Sequence, residues 1–259
     1  MKNAETTVKV DRRREKIRAL FNRIAPRYDA MNRIMTFGID RVWRRHLVRE
    51  AVSFLVRCGE TPAFLDIATG TGDIALAVKR RLPQTRVTGI DISDAMLVFA
   101  RAKMERDGMR QVIFKRASAE TIGSSKAVFN AAAVAFGYRN VRDNDRALKA
   151  AASALKPNGR LYVLEFFKPD NLFTRIFQTV YVRCVIPVIA RFVAGAASDY
   201  AYLGNSINDY DTIKAFIARA EKNGFSFFSR RRFMFGVADL VVIERKAGGR
   251  AQARSRTAR

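Results

Sequence analysis

The residues best placed to do chemistry form one short run, Leu65-Asp66-Ile67-Ala68-Thr69-Gly70-Thr71-Gly72-Asp73. Gly70 and Gly72 let the backbone turn tightly and admit a ligand close to the main chain. A second acid, Asp91, ends the next apolar segment, where a carboxylate can accept hydrogen bonds from both hydroxyls of a ribose. Two cofactor classes share this layout. Gly70-Thr71-Gly72-Asp73-Ile74-Ala75 also fits the loose GxGxxG/A dinucleotide pattern, a weak match by itself. The charges separate the two. A dinucleotide sets its pyrophosphate at a helix N-terminus, where Asp73 would repel it. S-adenosyl-L-methionine (AdoMet) has no phosphate, and its sulfonium and ammonium suit carboxylates such as Asp66 and Asp73. AdoMet is the favoured reading. Asp73 would also suit the dipole of its helix without any ligand. Ser118-Ala119-Glu120 follows the third strand, on the loop that contacts adenine in such folds, although the tripeptide alone is unspecific.

These residues need a scaffold of alternating strands and helices. Residues 11–57 have helical spacing. Strands are expected at Ala63–Ile67, Arg86–Asp91, Val112–Phe114, Val128–Phe136 and Arg160–Phe166. Helices are expected at Ile74–Leu82, Ala95–Asp107 and Arg142–Leu155, the last ended by the stop signal Lys156-Pro157-Asn158-Gly159. A helix over Asp211–Asn223 and strands near Phe225–Arg231 and Val237–Glu244 complete the pattern. This is an α/β, Rossmann-like class I methyltransferase architecture with a mainly parallel seven-stranded sheet. Its division is an N-terminal helical segment (1–57), an AdoMet-binding domain (58–245) with a helical cap inserted at about 171–205, and a disordered basic tail (246–259).

The 259 residues carry a net charge of +24, with basic residues crowded at both ends. Such a charge attracts polyanions, either nucleic acid or an anionic membrane face, or belongs to a solvated tail with no partner. Cys58 and Cys184 are far apart and His46 is the only histidine, so neither a zinc site nor a disulfide framework is expected. No signal-peptide run opens the chain, which points to the cytoplasm. The most apolar stretch, Ile176–Ala197, is interrupted by Arg183, Pro187 and Arg191 and reads as two cap helices rather than a membrane span.

Four further segments carry a family resemblance. They are Tyr28-Asp29-Ala30-Met31-Asn32 with Trp43 downstream, Phe136-Gly137-Tyr138-Arg139-Asn140-Val141, Leu155 through Phe166, and Asp199-Tyr200-Ala201-Tyr202-Leu203. In this order, over about residues 15–245, they resemble the signatures of the UbiE/MenG quinone-biosynthesis C-methyltransferases. The resemblance implies methylation of demethylmenaquinol, or of the matching ubiquinone precursor, with AdoMet as donor. It places Thr71, Asp91, Ser118 and Ala119 on AdoMet. The chain departs from the family pattern at Thr36, Asp40, Thr69, Ala135, Asn158 and Phe167, where relatives usually have Ser, His, Gly, Ser, Gly and Ser, and at Ser118, where they have Asn.

Carbon methylation needs an electron-rich ring, which a quinol becomes once a hydroxyl is deprotonated. Arg139 follows the fourth strand and is expected to stabilise the aryl oxyanion, with an ion pair to Asp143 or Asp145 as the alternative. Asp199 is the candidate base. Tyr28, Asp29, Tyr200 and Tyr202 are candidates for the quinol pocket, with ordinary core packing as the alternative. A prenyl tail belongs in a bilayer, so the expected partner is a prenylated quinol at the membrane surface. The protein is then peripheral on the inner face of the cytoplasmic membrane. An apolar groove around Val180–Val193, edged by Arg175, Arg183 and Arg191, would meet the tail, and anionic lipid would suit its basic edges. Nucleic acid is the weaker partner, and a homodimer is compatible with the sequence. Two rival functions are a methyltransferase for another small molecule or RNA, and a non-catalytic scaffold that kept the fold.

Overall fold

A computed structural model describes residues 15–122, 127–169, 174–175 and 210–247. A helix occupies residues 15–24 (α1), followed across a single 3₁₀ turn by α2 (Tyr28–Met35) and then α3 (Asp40–Leu55). Strands and helices then alternate: β1 (Ala63–Ile67), α4 (Asp73–Arg81), β2 (Arg86–Asp91), α5 (Asp94–Arg106), β3 (Val112–Arg116), β4 (Phe129–Ala135), α6 (Asn144–Ala154) and β5 (Leu155–Glu165). The chain closes with α7 (Ile213–Lys222), β6 (Phe225–Phe233) and β7 (Ala238–Arg245).

The seven strands form one sheet in the order β3-β2-β1-β4-β5-β7-β6. All neighbours pair in parallel except β7, which is antiparallel to both β5 and β6. The central strands are apolar on both faces because helices cover both. Phe64, Tyr162, Leu240 and Val242 point to one layer, with Trp43, Leu47, Ile74 and Leu97 from α3, α4 and α5. Leu65, Ile67, Val163 and Val241 point to the other, with Leu148 and Phe216 from α6 and α7. Side chains cap three helices at their first turns: Ser93 accepts from the Met96 amide, Asp143 from Arg146 and Thr212 from Ala215.

One expectation fails at the start of β5. The helix before Lys156-Pro157-Asn158-Gly159 ends as expected, at Ala154, but no loop follows: the strand expected from Arg160 already begins at Leu155, which pairs with Phe129. The register slips between Phe129 and Ala131, and Asn158 takes a left-handed φ of 61° where the resemblance expects glycine. A bulge of this kind absorbs the proline without ending the strand. The cap predicted at about 171–205 lies outside the described residues apart from two helical positions, 174 and 175, and so does the tail beyond 247. Among the described residues, no helix is long and apolar enough to cross a membrane.

Candidate active site

Strand order reverses between β1 and β4, the position at which such sheets bind ligands beyond the carboxyl ends of their strands. The residue after each strand is forced into left-handed backbone: Ala68 (φ 52°) after β1 and Phe136 (φ 59°) after β4. Non-glycine residues rarely adopt this region, and such strain concentrates at functional sites. The two turns also press together. A Cβ on Gly137 would stand 2.7 Å from the Ala68 Cβ, so only glycine fits. Gly70 (φ 54°) and Gly72 (φ 85°) complete the bend into α4.

Above this bend lies a cleft, partly open to solvent. Tyr28, Asp91, Met96, Ser118, Phe136 and Asn140 are among the residues that line it. Asp91 is fixed at its edge. One oxygen accepts from the Gly70 amide (2.9 Å) and the other from Ser93 (2.9 Å). A carboxylate has about four lone-pair positions, so each oxygen keeps capacity for a ligand hydroxyl. Burial raises the Asp91 pKa above the usual carboxylate value, against the opposing pull of those amides.

A second, narrower chamber adjoins the first and shares Tyr28, Ala68, Gly70 and Ala135 with it. It holds the charged residues Arg44, Asp66 and Asp73. Asp66 is almost fully buried and accepts from the Thr69 hydroxyl (2.6 Å) and the Ala75 amide (3.0 Å). Burial pushes its carboxyl up to about 7, and these two hydrogen bonds only partly counter it. Burial also works against the charges of Arg44 and Asp73, but each offsets it for the other. The Arg44 guanidinium holds its proton more firmly than usual, and Asp73, flanked by Arg44 and Lys103, ionises more readily.

The N-terminal helices are clasped onto this floor. Lys103 of α5 donates to Thr71 (2.8 Å) and pairs with Asp73 (2.7 Å) and with Asp29 of α2 (2.5 Å). Thr71 in turn donates to Asp29 (2.7 Å). From α1, Asn22 accepts from the Ser93 hydroxyl (2.7 Å). Ile17, Phe21 and Tyr28 thereby form one wall of the main cleft.

Arg139 is buried at the carboxyl end of β4, one residue before the cleft-lining Asn140. Its guanidinium donates to Glu165 at the end of β5 (2.5 Å) and to the Phe136 carbonyl (3.0 Å), and lies over the Phe166 ring at 5.5 Å. The Glu165 carboxylate also accepts from the Phe166 amide (2.9 Å). The structure thus supplies Arg139 with Glu165 as ion partner instead of the two acids considered from sequence. Asp145 is taken by Arg219 (2.6 Å) and Asn223 (2.7 Å), and Asp143 caps α6.

Of the residues singled out from sequence, Tyr28, Gly70, Asp91, Ser118 and Ala119 line the main cleft. Asp66 and Thr71 line the second chamber, and Gly72 starts α4 beneath it. Asp29, expected at a quinol, holds α2 to the glycine turn. Asp199, Tyr200 and Tyr202 lie outside the described residues. His46 packs against Phe233 (5.6 Å) and does not line the cleft. Sequence reasoning missed Arg44, Lys103, Glu165 and Phe21. Each sits on a helix or strand whose pattern marks only burial or surface, and each gains its role from contacts distant in sequence.

Four carboxylates, Asp29, Asp66, Asp73 and Asp91, surround the turn against Arg44 and Lys103. The N-terminus of α4 thus faces acids, which repel a pyrophosphate and welcome a cation. Asp91 and the Ser118–Glu120 loop fit a nucleoside, while Arg44 and the acids of the second chamber fit the two charges of an amino acid. The residues present therefore fit AdoMet.

Comparison with known proteins agrees. A methyltransferase from Thermotoga maritima, described as SAM-dependent, superposes with a TM-score of 0.59 at 16% identity, covering 89% of this chain and 100% of that one, which shows the shared fold. The ubiquinone/menaquinone biosynthesis C-methyltransferase UbiE of Geobacter sulfurreducens is 35% identical, over 93% of this chain and 92% of the relative. The demethylmenaquinone methyltransferase of Thermus thermophilus is 37% identical, over 87% of this chain and 100% of the relative. The sequence profile of the ubiE/COQ5 methyltransferases matches residues 8–243, and the chain belongs to that family.

Proposed function

We propose that this protein methylates a ring carbon of a prenylated quinol, demethylmenaquinol first, in menaquinone or ubiquinone biosynthesis, with AdoMet as donor. The observation that carries the reading is the two-chambered cleft at the β1/β4 switch point. One chamber is shaped for a nucleoside against Asp91, and the other carries Arg44, Asp66 and Asp73 for an amino-acid end. The names carried by the relatives support the quinol ring as acceptor.

AdoMet supplies, when bound, a methyl group made electrophilic by its sulfonium. The rest is the work of the chain. Asp91 and the Ser118–Glu120 loop hold the nucleoside end, and Arg44 with Asp66 and Asp73 hold the amino-acid end. Ile17, Phe21 and Tyr28 exclude water from one side, which favours a reaction that cancels charge. Arg139 balances the negative charge on the quinol oxygen. Its buried setting and its bond to Glu165 fix the guanidinium before substrate arrives, and preorganised charge of this kind lowers barriers most. Asp199 remains the proposed base and Tyr200 and Tyr202 the proposed quinol contacts.

The test is direct. Purified protein incubated with AdoMet and a short-chain demethylmenaquinol should yield a product heavier by one methyl group in the mass spectrum. Cells lacking the protein should accumulate demethylated quinone. An unchanged quinone profile together with no product from either ring type would overturn the substrate class.

A further inference from the structure

Two turns at the carboxyl edge of the sheet hold phenylalanines out in solvent. Phe37, between α2 and α3, is 70% exposed at a φ of 51°. Phe235, between β6 and β7, is 66% exposed at a φ of 55°, directly after Met234 at 43°. Bulky residues are strained in this left-handed region. Burial usually compensates a bulky apolar residue for such strain, and these two rings stay largely exposed.

The two turns belong to one face. Trp43, in the first turn of α3, contacts Phe136 and Phe166 at the carboxyl ends of β4 and β5, so Phe37 emerges at that edge. Phe233 ends β6 and stacks on the same Trp43 with centroids 6.0 Å apart, so Phe235 emerges beside it. Ile34 and Val42 add aliphatic surface, 44% and 43% exposed. The charge around them is mainly positive, although Arg231 lies 3.5 Å from Glu50 and Arg232 3.8 Å from Asp239. Residues 27–49 carry six arginines against two acids, Asp29 and Asp40, and both acids are already bonded to cations. Arg33, Arg41, Arg45, Arg231 and Arg232 are exposed. The cofactor cleft opens at this same edge of the sheet.

We propose that this face docks on an anionic lipid bilayer, with Phe37 and Phe235 entering the headgroup boundary and the arginines meeting lipid phosphate. Apolar rings rimmed by arginine match the two components of such a surface, hydrocarbon and negative charge. Aliphatic Ile34 and Val42 fit acyl chains and offer nothing to a nucleic-acid base. The inference rests on the prenylated-quinol reading. It gives that substrate an entry side, and it assigns docking to turns other than the cap that the sequence pointed to.

The test uses the full chain and vesicles of phosphatidylcholine, with and without added phosphatidylglycerol. The wild type should sediment with the anionic vesicles and not with the neutral ones. The double variant Phe37→Asn/Phe235→Asn should bind about tenfold more weakly. Asparagine tolerates left-handed backbone, so its melting temperature should match or exceed that of the wild type. Arg41→Glu/Arg45→Glu should lose binding in the same assay. Methylation of a short-chain quinol in solution should stay unchanged in all variants. Equal partition to both vesicle types overturns the proposal, as does undiminished binding by the variants. So does finding that the face instead supports a dimer, or salt-sensitive RNA binding, which the asparagine variant abolishes. Lost vesicle binding with intact turnover in the variants supports docking. Absent turnover on every quinol in the wild type sinks the substrate reading and leaves the vesicle result standing separately.

Discussion

At the scale of single residues, the carboxyl group of Asp66 holds an unusual proton. Burial pushes its pKa up to about 7 from an ordinary 3.8. Between those values the folded chain binds a proton that the unfolded chain has released. Stability therefore falls as pH rises from about 4 to about 7 and then levels, a loss on the order of 4 kcal/mol at most. Asp66→Asn cannot ionise. Its melting temperature should climb relative to wild type as pH rises from about 4 to about 7 and then keep a constant offset. A constant gap across that window would show that Asp66 is ionised throughout. A ligand ammonium beside Asp66 would draw the proton off, so AdoMet binding near neutral pH should release protons, seen by calorimetry in buffers of different ionisation enthalpy. Glu165 offers a second test. Glu165→Gln keeps the shape and removes the charge that orients Arg139, and kcat should drop about tenfold or more with little change in KM. A loss confined to KM would place Arg139 in ground-state binding.

The paired departures from the family pattern also make sense at this scale. Thr36 and Asp40, where relatives carry Ser and His, bond each other at 2.9 Å, and Asp40 also meets Arg44. Thr69, where relatives carry Gly, caps the buried Asp66. Phe167, where relatives carry Ser, is buried against Tyr210 and Phe216.

Among elements, the decisive contacts join segments far apart in sequence. The Ala68 turn and the Gly137 turn leave no space for a methyl group between them. Gly137→Ala should cost about 1–3 kcal/mol in denaturant unfolding and weaken AdoMet binding, since both cleft-lining turns must part. Unchanged stability would mean that the turns are loose. Lys103→Met should leave α2 held to the glycine turn by the Thr71–Asp29 bond alone and raise the AdoMet Kd about tenfold, measured by titration calorimetry. Legibility in the sequence follows the same line. Glycine-turn chemistry and strand periodicity are local, so β1 and β2, with Gly70 past the end of one and Asp91 at the end of the other as site residues, could be read directly, whereas the Gly70–Asp91 hydrogen bond could not. Lys103 reads as an ordinary helix cation because its three partners come from α2 and the turn before α4. Pro157 and Gly159 mark the end of α6 correctly but hide the early start of β5, because nothing local reports that Leu155 pairs with Phe129. The Arg139–Glu165 pair joins the turn after β4 to the end of β5, so the role of Glu165 emerges only once the sheet is assembled.

Over the whole molecule, 48 basic residues face 24 acidic ones. Self-repulsion at that imbalance opposes compaction, and salt screens it over about 10 Å at 0.1 M. The melting temperature should therefore rise as sodium chloride is raised from low to physiological strength. A fall would show that local pairs such as Lys103 with Asp29 outweigh the global excess.

The wall that α1 and α2 place over the cleft also governs timing. If spent donor leaves and fresh donor enters past this wall, Asn22 must part from Ser93 and Asp29 from Lys103. Exchange of the nucleoside should then be slower than the chemistry. Steady-state turnover should decline as glycerol thickens the solvent, while a single turnover from preloaded enzyme proceeds at its usual speed. Equal sensitivity of both would mean that this doorway stands open.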